Sequence, residues 1–176
     1  MAFAVSGRQR SLDSGDKIAA DLVVLATGWK TDYAFLSGTV RARLEMGDDG
    51  LYLYRHILHP DFPRLAFIGN ASTISSVLTY SLQARWLGNL IAGKFQLPNQ
   101  NAMHEEINAL REWKRNWMPP SDQRGARLLL HMLHYHDELV RDLGVTTLRK
   151  TGFFAPLKEL IAPYEPGDYR GVVAGD

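Results

Sequence analysis

One stretch limits the folds open to this chain more than any other. Leu65-Ala66-Phe67-Ile68 is a short apolar run, Gly69-Asn70 is a turn signal, Ala71-Ser72-Thr73 follows, and an apolar helical pattern then runs from Ile74 to Lys94. That order predicts a strand, a tight turn and a helix start. A helix start offers unbonded backbone N–H groups and the positive end of a dipole to whatever lies above it. Along the helix, Ile74, Val77, Leu78, Leu82, Trp86, Leu87, Leu90 and Ile91 spread over more than one face, the pattern of a core helix. Gly93-Lys94 ends it, and Pro98 follows at the expected distance.

Upstream, Ser14-Gly15-Asp16 marks a turn between two short strands. Leu22 to Ala26 is a continuous apolar run, the mark of a strand buried on both faces, and Thr27-Gly28 closes it. Leu51 to Ile57 reads as an aromatic-rich strand, and Arg64 to Ile68 as the strand that feeds the turn. Pro60 and Pro63 make the stretch between them a loop, with His59 a loop histidine. Downstream, Met103, Ile107, Leu110, Trp113 and Trp117 recur at helical spacing. Pro119-Pro120 breaks that helix, Ser121-Asp122 caps a second over Gln123 to Asp142, and Gly144 stops it. A short helix over Ala155 to Ala162 follows, and the Gly-rich tail from Pro166 to Asp176 is loose or docked on another surface.

The 176 residues suffice for one domain with a real core, and a 45% hydrophobic, 22% charged composition is that of a globular protein. A net charge of +1 gives no ground for a nucleic-acid surface. The chain has no cysteine, which removes disulfides, thiolate metal sites and cysteine nucleophiles and fits a reducing, cytoplasmic setting. No apolar run approaches the roughly 20 residues of a membrane span, and the N-terminus lacks the leading charge of a signal peptide. His131, His134 and His136 do not share one helix face, and His104-Glu105 lacks the second histidine of a zinc-protease motif, so a metal site is not expected. The tryptophans and Tyr52/Tyr54 read as core; Lys114-Arg115 and Arg124/Arg127 read as a solvated helix face. Gly-x-Ser-x-Gly, the P-loop and Gly-x-Gly-x-x-Gly are all missing.

Three segments together resemble the C-terminal part of the flavin-containing monooxygenases, class B flavoproteins that use FAD and NADPH. They are Asp21-Leu22-Val23-Val24-Leu25-Ala26-Thr27-Gly28-Trp29, His59-Pro60 with Leu65-Ala66-Phe67-Ile68-Gly69, and, most specific, Leu82-Gln83-Ala84-Arg85-Trp86. The resemblance covers roughly 18–98 and, weakly, the helical remainder. It implies an α/β fold: part of a doubly wound, two-dinucleotide FAD/NAD(P)-binding domain over 1–98, with a helical C-terminal extension over 99–176. It implies that Gly69, Asn70 and Thr79 lie near the isoalloxazine, that Gln83 holds that helix end or the ribityl chain, and that Thr27 and Gly28 mark the crossover between the NADPH and FAD domains. The implied chemistry is reduction of FAD by NADPH, capture of oxygen as a flavin hydroperoxide, and oxygen transfer to nitrogen or sulfur of a small nucleophilic substrate. The chain departs from the family in lacking both Gly-x-Gly-x-x-Gly fingerprints and the Phe-x-Gly-x-x-x-His segment between them, with Leu78 where proline is common and Ser81 where glutamate is common. The expectation is therefore a C-terminal fragment that needs a missing N-terminal half to bind FAD and NADPH. The alternatives are a non-catalytic module that binds a partner or itself, or another two-dinucleotide flavoprotein such as a Baeyer–Villiger monooxygenase or a disulfide-reductase relative.

Overall fold

The computed structural model describes residues 4–5, 10–11, 14–19, 22–24 and 32–174. The chain divides into two compact units, Met1–Phe35 and Leu36–Asp176. In the first, β1 (Ala4–Val5) pairs antiparallel with β4 (Val23–Val24), and β2 (Arg10–Ser11) pairs antiparallel with β3 (Lys17–Ile18). The expected turn joins β2 to β3: Gly15 has φ +87°, and Ser14 Oγ donates to Asp16 Oδ2 at 2.8 Å. The two-face burial expected of Leu22–Ala26 is absent where it can be seen, because Leu22 and Val24 are exposed. A two-stranded ribbon of two-residue strands covers neither of its own faces. Thr27 and Gly28 lie outside the described residues.

The second unit holds α1 (Gly38–Arg43), α2 (Ser76–Ile91), α3 (Gln100–Trp117), α4 (Met132–Asp142), α5 (Ala155–Ile161) and α6 (Arg170–Ala174). One core draws on residues from both sides of position 98, among them Tyr54, Ile57, Leu82, Trp86, Ile107 and Leu139. Helix α2 packs against α4. The ends of both follow from their sequences. Gly93 (φ +69°) and Gly144 (φ +71°) adopt the left-handed conformation that closes a helix, and in each case the next residue donates back five positions, Lys94 to Asn89 and Val145 to Val140. Asn99 caps α3 by accepting the Ala102 N–H at 2.9 Å. No helix among the described residues is long and apolar enough to cross a membrane.

Three sequence expectations change here. Leu51–Ile57 is not a strand: Leu51–Tyr54 is buried with a single bridge at Tyr54, and Arg55–Ile57 is a turn. Arg55 and His56 take φ of +50° and +53°, and the chain folds back so that Tyr54 and Leu58 exchange backbone hydrogen bonds. The expected Arg64–Ile68 strand likewise shrinks to a single bridge, Leu58 to Ala66. The helix expected over Gln123–Asp142 begins only at α4, after a 3-10 turn over Leu129–His131. Residues 122–128 instead form a strap, since the Gly125 N–H goes to Asp49 O and the Leu128 N–H to Ser72 O, and donors committed there cannot serve a helix.

That strap also overturns the solvated-face reading of Lys114 and Arg124. Lys114 is fully buried and donates from Nζ to Gly125 O at 2.7 Å. Arg124 is buried between Pro119 O and Asp49. The tail is docked, on its own chain: Tyr169 and Val172 are buried, and Arg85 of α2 donates to Gly171 O at 3.1 Å.

Candidate cofactor-binding site

The opening stretch of the sequence forms the turn and helix it predicts. Gly69 turns the chain with φ +91°, and its N–H points inward to Gln83 Oε1 at 2.9 Å. The other end of the same amide, Gln83 Nε2, donates to the Tyr135 hydroxyl at 2.7 Å, and that hydroxyl donates to Arg55 O at 2.7 Å. Gln83 thus ties the turn to α2, to α4 and to the left-handed bend at Arg55. Because Gln83 and Tyr135 are both buried, each of these bonds replaces one that water cannot supply.

A second chain of bonds fixes the start of α2. Thr79 is fully buried, and its hydroxyl donates to Ser75 O at 3.0 Å. It lies 2.7 Å from Thr73 Oγ1 and 2.8 Å from His136 Nε2, while His136 Nδ1 lies 3.2 Å from the Tyr169 hydroxyl. One assignment satisfies every group: Thr73 and His136 Nε2–H donate to Thr79, and Tyr169 donates to His136 Nδ1. It requires a neutral imidazole. Burial, with Arg149 nearby adding to it, lowers the His136 pKa to about 4, so the imidazole is neutral at ordinary pH.

The sequence-derived site residues are thereby sorted. Gly69, Thr79 and Gln83 come together, but Thr79 and Gln83 are buried and committed to protein partners. Asn70 follows Gly69 in the turn and is half-buried. What remains open is the start of α2: Ser75 makes no side-chain cap bond, and no acidic residue stands in the first turn. The positive end of a 16-residue helix is left without an internal anion. An electron-rich edge bearing carbonyl oxygens, such as the pyrimidine side of a flavin, matches that chemistry. The Gly-x-Gly-x-x-Gly fingerprint that would cradle such a cofactor's phosphates does not occur in the sequence.

Tyr135, His136 and Tyr169 are the network members that sequence reasoning missed. It weighed His136 only as a metal ligand and set it aside, whereas it is fully buried. A signal was present: Tyr135, His136, Leu139 and Val140 form the buried face of α4 at helical spacing, so a histidine in that register belongs inside. His59, too, is buried, with Nδ1 accepting the Asp61 N–H at 3.2 Å. Among the described residues no group of three or more His, Asp or Glu is placed to hold a metal.

Known proteins resemble this chain in sequence and in fold. A probable flavin-containing monooxygenase 1 of Arabidopsis thaliana is 31% identical over 163 residues, covering 90% of this chain and 29% of that protein. Flavin-containing monooxygenase 1 of Canis lupus familiaris is 40% identical over 95 residues, 53% of this chain and 18% of its own length. The chain therefore spans less than a third of either relative. The S-allyl-L-cysteine S-oxygenase of Allium sativum shares the fold, with a TM-score of 0.66 over 96% of this chain and 40% of its own, at 17% identity. The family described as flavin-binding monooxygenase-like matches residues 12–155, a span that takes in the Gly69 turn, the Gln83 helix and the Tyr135–His136 pair that braces them. The chain belongs to that family.

Proposed function

We propose that this chain is the part of an FAD- and NADPH-dependent monooxygenase that receives the pyrimidine edge of the flavin, acting on nitrogen or sulfur of a small nucleophile. The observation that carries the reading is the Gln83 clamp, which ties the Gly69 turn to α2, a helix whose start carries no side-chain cap bond. In this reading the backbone of Gly69 and Asn70 and the first-turn N–H groups of α2 meet the ring. Gln83 and Thr79 are positioning residues that hold those groups in place. Thr27-Gly28 stands at the crossover of a doubly wound, two-dinucleotide fold whose phosphate-binding fingerprints lie on another polypeptide segment. FAD, when bound, supplies electron transfer from NADPH and the activation of oxygen, while the polypeptide positions and shields it. The helix start favours negative charge at its mouth, and exposed Ile74 and Val77 give that mouth an apolar rim. The sulfur substrate named for the garlic enzyme supports a sulfide as one acceptor.

The test is complementation. The chain alone, incubated with FAD and desalted, is expected to retain no stoichiometric flavin spectrum. Mixed with a polypeptide carrying the two Gly-x-Gly-x-x-Gly segments of the family, it is expected to retain FAD and to oxidise NADPH faster with amines or sulfides than with ketones. Stoichiometric FAD on the chain alone would overturn its fragment character. Absence of flavin retention in the mixture would overturn the site, and a preference for ketones would move the reading to Baeyer–Villiger chemistry. A second reading, a module that binds a partner, draws on the same exposed apolar rim.

A further inference from the structure

A groove of about 720 Å³ runs between the first turns of α2 and the tail, with Ser75, Val77 and Leu78 on one wall and Tyr169, Arg170 and Val173 on the other. Helix α2 packs against α6, and Arg85 of α2 pins the tail there by donating to Gly171 O at 3.1 Å and to Val172 O. Leu78 and Val173 are half-buried against the core and Tyr169 is buried, so the floor of the groove is apolar. That volume, an apolar wall and a few polar groups are what a small-molecule site uses.

The charge in the groove is unbalanced. Arg170 is its one charged side chain, and among the described residues its guanidinium makes no ion pair or hydrogen bond. Three other cavities all carry carboxylates: Glu106 and Glu138 in one, Asp48 and Asp49 in the next, Asp168 in the third. None lines this groove. Arg170 also borders the cavity of Asp168, but that carboxylate is taken by Lys150 Nζ at 2.7 Å and by the Glu165 N–H at 2.7 Å. The facing wall adds field of the same sign, since the first turn of α2 holds no acidic residue. A cation without a partner, beside an apolar wall, focuses its field into the groove. A cationic ligand would meet only like charge there, and a neutral one would leave Arg170 unused.

We propose that this groove binds a small amphiphilic anion, a carboxylate on an apolar body. Arg170 takes the carboxylate through its forked N–H groups, and Val77, Leu78 and Val173 cover the hydrocarbon. Tyr169 forms part of the wall, and its hydroxyl is the one that meets His136 in the network fixing Thr79. An occupant therefore rests against the brace of the α2 start. The binding itself does not depend on the flavin reading.

The experiment uses the full 176-residue chain without FAD and two probes that share one apolar body, octanoate and the uncharged octanamide. Isothermal titration at low ionic strength is expected to show octanoate saturating one site, about threefold more tightly than octanamide, with the preference shrinking as salt is added. Shortening octanoate to hexanoate is expected to weaken binding roughly tenfold, as two methylenes leave the apolar floor. Arg170→Gln, at an exposed position, is expected to erase the preference and leave octanamide unchanged. Val77→Asp places a carboxylate in the groove at a first-turn position that suits an acid, and is expected to weaken octanoate more than octanamide with the helical circular dichroism unchanged. Equal affinity for the two probes, no saturation, or a preference that survives Arg170→Gln would each overturn the assignment. Flavin retention in the complemented mixture is read separately, so a failure here leaves the cofactor reading standing.

Discussion

Gln83 shows how much of this site rests on single polar side chains. Its amide joins the Gly69 N–H to the Tyr135 hydroxyl inside the core, so Gln83→Leu keeps the bulk, strands the Gly69 N–H and leaves the Tyr135 hydroxyl only its bond to Arg55 O. The expected cost is about 2–5 kcal/mol, read as a lower urea midpoint. Ser81→Ala, which removes only an exposed bond to Val77 O, is expected to cost under about 0.5 kcal/mol. His136 gives a prediction in pH. Its pKa is about 4 in the fold against a reference of 6.5, so as pH falls the unfolded chain takes up the proton first. The stability it contributes is complete above pH 6.5 and is lost as pH falls to about 4, roughly 3 kcal/mol in all. His136→Gln is expected to flatten that window. The difference between the Tm curves of the parent and the variant from pH 7 to 4 isolates it from other titrating groups. A difference that does not change with pH would show that His136 carries no linked proton.

At the scale of elements, what the sequence made legible was what local chemistry decides. Gly69, Gly93 and Gly144 mark true chain reversals, and α2, α3 and α5 begin and end within a few residues of their signals. The failures are where distant backbone partners decide. Nothing near Gln123 shows that Gly125 will bond Asp49, or that Leu128 will bond Ser72, yet those two bonds unmake a helix the local pattern favours. The buried arc of α2 was misread for a related reason: Thr79 and Gln83 are inside because Tyr135 and His136 meet them, while apolar Ile74, Val77 and Ile91 are outside. The strap is testable through Gly125, where an added Cβ would sit 2.5 Å from Leu51 O, a backbone atom that cannot turn aside. Gly125→Ala is expected to destabilise by about 1–3 kcal/mol, whereas Gly88→Ala, with nothing within 4 Å, is expected to be neutral or slightly stabilising. Thermal melts of the two variants decide it, and equal melting temperatures would remove the strap from the account.

At the scale of the whole molecule, α2 carries two unlike faces. One is fully buried through Leu82, Gln83 and Trp86; the other runs Val77, Ser81, Ala84, Gly88, Ile91 at helical spacing, with Val77 81% and Ile91 78% exposed. Ile74, at 74% exposure, extends that apolar side past the helix start. An apolar rim with small residues at its centre lets another backbone approach closely, and exposed apolar surface of this kind marks a contact with protein. The same side borders the helix start assigned to the flavin, so in the monooxygenase reading one surface both covers the cofactor and joins the two parts of the enzyme. Without that covering surface the rim has only other copies of itself to meet. The purified chain is therefore expected to self-associate in a concentration-dependent way by sedimentation velocity. Val77→Glu with Ile91→Glu is expected to shift it toward monomer and, because both residues are already solvated, to leave its stability within about 1 kcal/mol of the parent's. Added complementing polypeptide is expected to compete with the self-association. A parent chain that stays monomeric at every concentration, or a double variant that still retains FAD in the complemented mixture, would show that this face of α2 is not the joining surface.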